Sequence, residues 1–109
     1  MTQSFPKSRR LLTKAEFDRV FAVRKSRSDR QLVVYSMVNE LGHPRLGLVV
    51  SRKVGNAVIR NRWKRLLREA FRLVQEELPA VDLVCLPRPN AKPELAALKE
   101  SLRNLATTE

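Results

Sequence analysis

The chain holds one cysteine, one histidine, three glycines and no long apolar run, and each scarcity removes a class of protein. Cys85 has no partner for an internal disulfide, and its place between Val84 and Leu86 marks it as a small buried hydrophobe rather than a reactive thiol. His43, alone in a loop beside Pro44, leaves no histidine pair, no metal-ligand spacing and no nucleophile with a base at hand. Acidic residues number 11 against 22 Lys and Arg, and they lie scattered among cations that would repel Mg²⁺. Two-metal nucleases need clustered carboxylates, and adjacent Glu76 and Glu77 point apart, so no catalytic residue and no protein-bound metal or cofactor is expected. No apolar stretch approaches the roughly 20 residues that span a bilayer, and Met1 to Arg10 lacks a signal peptide's apolar centre, so a cytoplasmic location without a membrane partner is expected.

What the chain does have is positive charge. A formal net charge of +11 on 109 residues marks a binder of polyanions, and the length suits one domain, 1–109, around one core. The opening stretch, 1–12, mixes Pro6 with Lys7, Arg9 and Arg10, shows no apolar period and reads as an extended basic arm, mobile in the free protein.

Local signals divide the remainder. Thr13 and Glu16 fit a capping box, and Phe17, Val20 and Phe21 recur at helical spacing, which predicts a helix from Lys14 to Val23. The basic stretch 24–30 has room for a short edge strand, Gln31 to Val38 reads as a strand containing Tyr35, and Arg45 to Ser51 reads as another. With Gly42 and Pro44 between them, these two strands are expected to pair as a hairpin at the centre of the sheet. Asn56 is a plausible cap for the longest helix, whose apolar residues Ile59, Trp63, Leu66, Leu67, Ala70, Phe71 and Val74 keep a helical period as far as about Leu78. Beyond Pro79, Val81 to Leu86 reads as a buried strand, and Leu95, Leu98, Leu102 and Leu105 form the stripe of a last helix.

On the long helix, Asn61, Arg65, Arg68 and Arg72 fall opposite the apolar stripe, flanked by Arg62 and Lys64. Counting the preceding turn, Arg52, Lys53, Arg60, Arg62, Lys64, Arg65, Arg68 and Arg72 gather eight cations around a single acid, Glu69. A charge run is usually a solvated helix face, but such faces alternate in sign; this one lacks the counter-charge that would relieve its self-repulsion. Arginine's planar fork suits phosphate oxygens, and the helix start adds peptide N–H groups at the same end. Docking of the helix on lipid or on a partner protein is less favoured, because its apolar stripe is needed to cover the sheet.

The run SRKVGNAVIRNRWKRLLREAFR, Ser51 to Arg72, closely resembles the signature of the bacterial ribonuclease P protein family, with the RNR centre at Arg60, Asn61 and Arg62. The basic N-terminus, the helix with Phe17 and Phe21, the strand RQLVVYSM and the strand RLGLVVSRK resemble that family in the same order. The resemblance implies an α+β fold: a two-layer α/β sandwich of about three helices, with a four-stranded, mostly antiparallel sheet and a left-handed βαβ crossover. It implies a subunit that binds the catalytic RNA and precursor tRNA and promotes endonucleolytic removal of the 5′ leader, with RNA-bound Mg²⁺ and the RNA itself as catalyst. On the same resemblance Arg52, Lys53, Asn56, Arg60, Asn61, Arg62, Lys64, Arg65, Arg68 and Arg72 meet the ribozyme RNA, while Phe17, Phe21 and Tyr35 line a cleft for the leader.

The residues themselves also admit blander readings. Aromatics at i and i+4, as Phe17 and Phe21 are, normally pack in a core, and a strand tyrosine such as Tyr35 fits a core edge as well as a base. Trp63 stands where the family resemblance suggests an aliphatic residue, and its spacing assigns it to the packed stripe. A structural ribosomal RNA-binding protein and a DNA-binding module with its long helix in the major groove are the alternatives from other classes. Duplex DNA is not an expected partner.

Overall fold

The computed structural model describes residues 5–106. Helices α1 (Lys14–Val23), α2 (Ala57–Val74) and α3 (Leu95–Leu105) accompany strands β1 (Ser26–Ser28), β2 (Leu32–Val38), β3 (Arg45–Leu48) and β4 (Val81–Pro87) in one mixed sheet of order β1-β2-β4-β3. The β1/β2 and β2/β4 pairs are antiparallel and β3/β4 is parallel, so α2 is the helix of a βαβ crossover and the fold is α+β.

The expected hairpin of the two long strands does not form, because β4 lies between them. Val81, Leu83, Val84 and Cys85 are all fully buried, so β4 is covered on both faces and its backbone N–H and C=O groups, shut off from water, need a strand at each edge. By contrast β2 alternates buried and half-buried residues, and β3 is only four residues long, ending at Leu48 rather than Ser51. Arg52–Val54 then forms a single 3₁₀ turn before α2, and a second, Gln75–Glu77, carries the chain from α2 to the stop at Pro79.

The two faces of the sheet do different work. On one, Leu32, Val34, Leu46, Leu83 and Cys85 meet Trp63, Leu67 and Phe71 of α2 and Leu98 and Leu102 of α3 in the main core. Asp29 fixes α3 there: its carboxylate accepts the N–H groups of Gln31 and Leu32 at the start of β2 and the hydroxyl of Ser101. On the other face α1 lays Val20 over Val84 and Leu11, with Phe17, Phe21, Tyr35, Met37, Val49 and Leu86 around them, half-buried.

Both halves of the α1 capping box are made: Thr13 Oγ1 accepts the Glu16 N–H at 3.2 Å, and Glu16 Oε1 accepts the Thr13 N–H at 3.0 Å and the Leu12 N–H at 2.8 Å. The other Glu16 oxygen takes Nη1 of Arg45 at 2.8 Å, and the same guanidinium grips Asp82 through two bonds of 2.8 and 2.7 Å. Asn39 Nδ2 completes the cluster by donating to Asp82 at 2.8 Å.

The arm is not free over its described part. Phe5 packs on Phe71 with centroids 5.3 Å apart, Arg10 lies 4.8 Å above the Phe5 ring, and the buried Leu11 donates its N–H to Leu46 at 3.0 Å. Residues 5–12 thus strap the outer edge of β3, with a 3₁₀ turn at Lys7–Arg9; residues 1–4 of the expected arm lie outside the described residues.

The Leu12 and Thr13 N–H groups, and after them Arg45, hold the Glu16 carboxyl down from 4.5 to about 2 against the opposing effect of burial. A depressed carboxylate pKa stabilises the fold above the unfolded value and loses that contribution as pH falls through the folded one. Stability should therefore decline as pH drops from about 4.5 towards 2, and Glu16→Gln should remove that part of the decline while costing about 1.5–3 kcal/mol at pH 7. Urea unfolding of both proteins across this range checks it; parallel pH profiles would contradict the assignment.

Candidate nucleic-acid interface

The two sides of α2 share no chemistry. Trp63, Leu67, Ala70, Phe71 and Val74 are buried, while Asn61, Arg62, Arg65 and Arg68 are exposed and Arg60 and Lys64 half-buried. Asn56 caps the helix as expected, its side-chain oxygen accepting the Ile59 N–H at 3.0 Å. At Gly55, with φ 155°, an added Cβ would lie 2.9 Å from Ile59 Cγ2, so glycine lets the turn close against the first helical residues. Trp63 packs, wholly buried, as its spacing predicts, although its Nε1 and the Nε of Arg60 are buried without a hydrogen-bond partner among the described residues.

Of the eight cations on α2 and the turn before it, only Arg72 has an ion-pair partner among the described residues. It pairs with Glu69 at 2.6 Å and holds that carboxyl below its usual range, so its charge is partly answered within the chain. Arg52 and Lys53 sit exposed on the 3₁₀ turn that leads into the helix. A surface so uncompensated favours an external polyanion.

Beside this face runs a groove of about 270 Å³ between the N-terminal strap, α1, β3 and α2. Phe17 forms part of its wall with Leu11, Leu12, Gly47 and Leu48, and Arg10, Lys64 and Arg68 supply its charge. Phe21 and Tyr35 lie on the same face of the sheet but outside the groove lining, edge to face with centroids 4.9 Å apart. The structure therefore gathers the three aromatics into one cluster and brings Phe17 alone to the groove beside Lys64 and Arg68, two residues of the cation face.

Sequence reasoning missed Gly47 and Leu48, and placed Arg10 only in a basic arm, not in the groove. A Cβ at Gly47 would stand 2.7 and 2.8 Å from the Phe17 ring and 3.0 Å from Leu11, so the missing side chain is the seat of Phe17. A glycine inside the strand RLGLVV was the available signal, since it marks close approach by another group. Arg10 carries no such periodic or motif signal.

The described residues contain no group of three or more His, Cys, Asp or Glu side chains placed to hold a metal ion. Burial pushes the Cys85 thiol up to about 12. No helix among the described residues is long and apolar enough to cross a membrane.

The profile of the family described as Ribonuclease P matches residues 5–108. The ribonuclease P protein component of Salmonella typhimurium is 45% identical over 104 residues, which cover 94% of this chain and 87% of that one. Among solved structures, the Staphylococcus aureus RNase P protein superposes with a TM-score of 0.78 at 38% identity, covering 91% of this chain and 93% of that chain. The Thermotoga maritima RNase P protein gives a TM-score of 0.78 at 34% identity, covering 87% and 92%.

If Gly47 is the seat of Phe17, Gly47→Ala should cost about 1–3 kcal/mol by displacing the ring. Phe17→Ala removes the clash, so a double-mutant cycle measured by urea unfolding should show a coupling of at least about 0.5 kcal/mol. Strict additivity would mean that the two residues do not touch.

Proposed function

The chain belongs to the ribonuclease P protein family, and from that premise we propose that it binds the catalytic RNA along the cation face of α2 and the 5′ leader of precursor tRNA in the adjoining groove. The observation that carries this reading is the junction at Lys64 and Arg68, which have no ion-pair partner among the described residues and belong both to the cation face of α2 and to the groove that Phe17 lines.

Each surface contributes by its own chemistry. The arginines neutralise RNA phosphates, Arg62, Arg65 and Arg68 from the exposed face of the helix, with Arg52, Lys53 and Asn56 extending the contact around the helix start. Unpaired leader bases stack on an aromatic wall that begins at Phe17 and continues towards Phe21 and Tyr35, while Arg10, Lys64 and Arg68 face the leader phosphates. Because mature tRNA has lost the leader, it forgoes these contacts and is released more readily than the precursor. The hydrolysis of the leader phosphodiester belongs to the RNA and to Mg²⁺ held mainly by that RNA; this chain places the substrate and supplies no catalytic side chain. The holoenzyme works in the cytoplasm.

Replacing Arg60, Arg62 and Arg65 by Ala should weaken binding to a bacterial ribonuclease P RNA and flatten the log–log salt dependence by about 0.7 to 0.9 per lost phosphate contact. Phe17→Ala should instead leave ribozyme binding intact and narrow the preference of the assembled holoenzyme for precursor over mature tRNA. An unchanged salt slope, or a preference indifferent to leader length, would sink the corresponding half of the proposal.

A further inference from the structure

We propose that Val58 seats an unpaired base of the ribozyme RNA, making an apolar contact inside the cation face; this rests on the RNA-binding reading above. Val58, Asn61, Arg62 and Arg65 stand at i, i+3, i+4 and i+7 and so form one stripe of α2, on a different side from Trp63 and Leu67. Together with Ile59 they line one surface depression. Val58 is 77% exposed, and Ile59 is 41% exposed. Scattered apolar side chains on a surface are ordinary. This one is unusual in being ringed by arginines that lack ion-pair partners among the described residues and by the amide of Asn61.

The charge pattern selects the occupant. A second copy of the chain would bring the same +11 charge against the same arginines. A lipid surface would need a broader apolar face than Val58 and Ile59 provide. An extruded nucleobase offers a flat, weakly polar face with a phosphate on either side, which matches an apolar spot flanked by cations. Ile59 has a separate duty, since it closes against Gly55, so Val58 is the residue that isolates the contact.

Val58→Ala in the full chain tests this, because alanine keeps the helix and removes only exposed methyl groups. Binding to a bacterial ribonuclease P RNA, titrated at several KCl concentrations, should weaken roughly three- to tenfold at every salt with the slope unchanged. Arg62→Ala in parallel should lower the slope. Equal affinity for wild type and Val58→Ala, or a change of slope, would overturn the proposal, and failure of the wild type to bind would overturn the RNA-binding reading with it. Because Cys85 is buried, a Val58→Cys variant can be labelled selectively with a photoreactive benzophenone. Cross-links should map to unpaired nucleotides; cross-links confined to duplex RNA, or to a second protein chain, would also overturn it.

Discussion

The guanidinium of Arg45 ties together three elements that the chain brings from distant places. It holds Asp82 of β4 with two hydrogen bonds and Glu16 of α1 with a third, and Asp82 is only 1% exposed. Burying such charges is costly unless every partner is in place, and losing one member of a buried pair typically costs about 3–5 kcal/mol. Here the planar fork meets one carboxylate in bidentate fashion, Asn39 satisfies it further, and the α1 capping box already holds the other. The cluster registers β3 alongside β4 and pins the start of α1 over the same end of the sheet. Once α1 is there, Phe17 falls on Gly47, and the strap, α1, β3 and α2 enclose the groove.

A second constraint is the division of labour between the faces of α2. Its buried stripe, with Trp63, Leu67 and Phe71, anchors the main core, so the helix cannot turn its cations inward to find partners. The self-repulsion of that face weakens the free protein, and a polyanion bound there would relieve it. Stability and binding thus pull on the same helix from opposite sides: the apolar stripe holds the cations where a polyanion can reach them. Lys64 and Arg68 sit at the seam and also line the groove, so the cation face runs directly into it.

Much of this was legible locally. The Thr13–Glu16 box, the Asn56 cap and the leucine stripe of α3 are short-range signals, and each helix begins where they predict, although α2 gives way to a 3₁₀ turn after Val74, short of the expected Leu78. Strand pairing was not local. A short turn between β2 and β3 reads as a hairpin, yet the central place goes to β4 because it must be covered on both faces, a demand visible only when the whole sheet is assembled. The strap over β3 was missed for a related reason, since Phe5, Arg10 and Leu11 have no period and find their partners only in the folded edge. For the site, spacing along α2 was enough to separate packed from exposed residues. It did not reveal that Arg72 is engaged by Glu69, or that Gly47 makes room for Phe17.

On the proposed function, this chain helps the catalytic RNA by holding a leader that the product no longer has. The direct measurement is the rate of 5′ cleavage of a precursor tRNA by a bacterial ribonuclease P RNA at low Mg²⁺, with and without the protein, for leaders of decreasing length. Marked stimulation that fades as the leader is shortened is the expected result. RNA binding without stimulation, or stimulation indifferent to the leader, would contradict it.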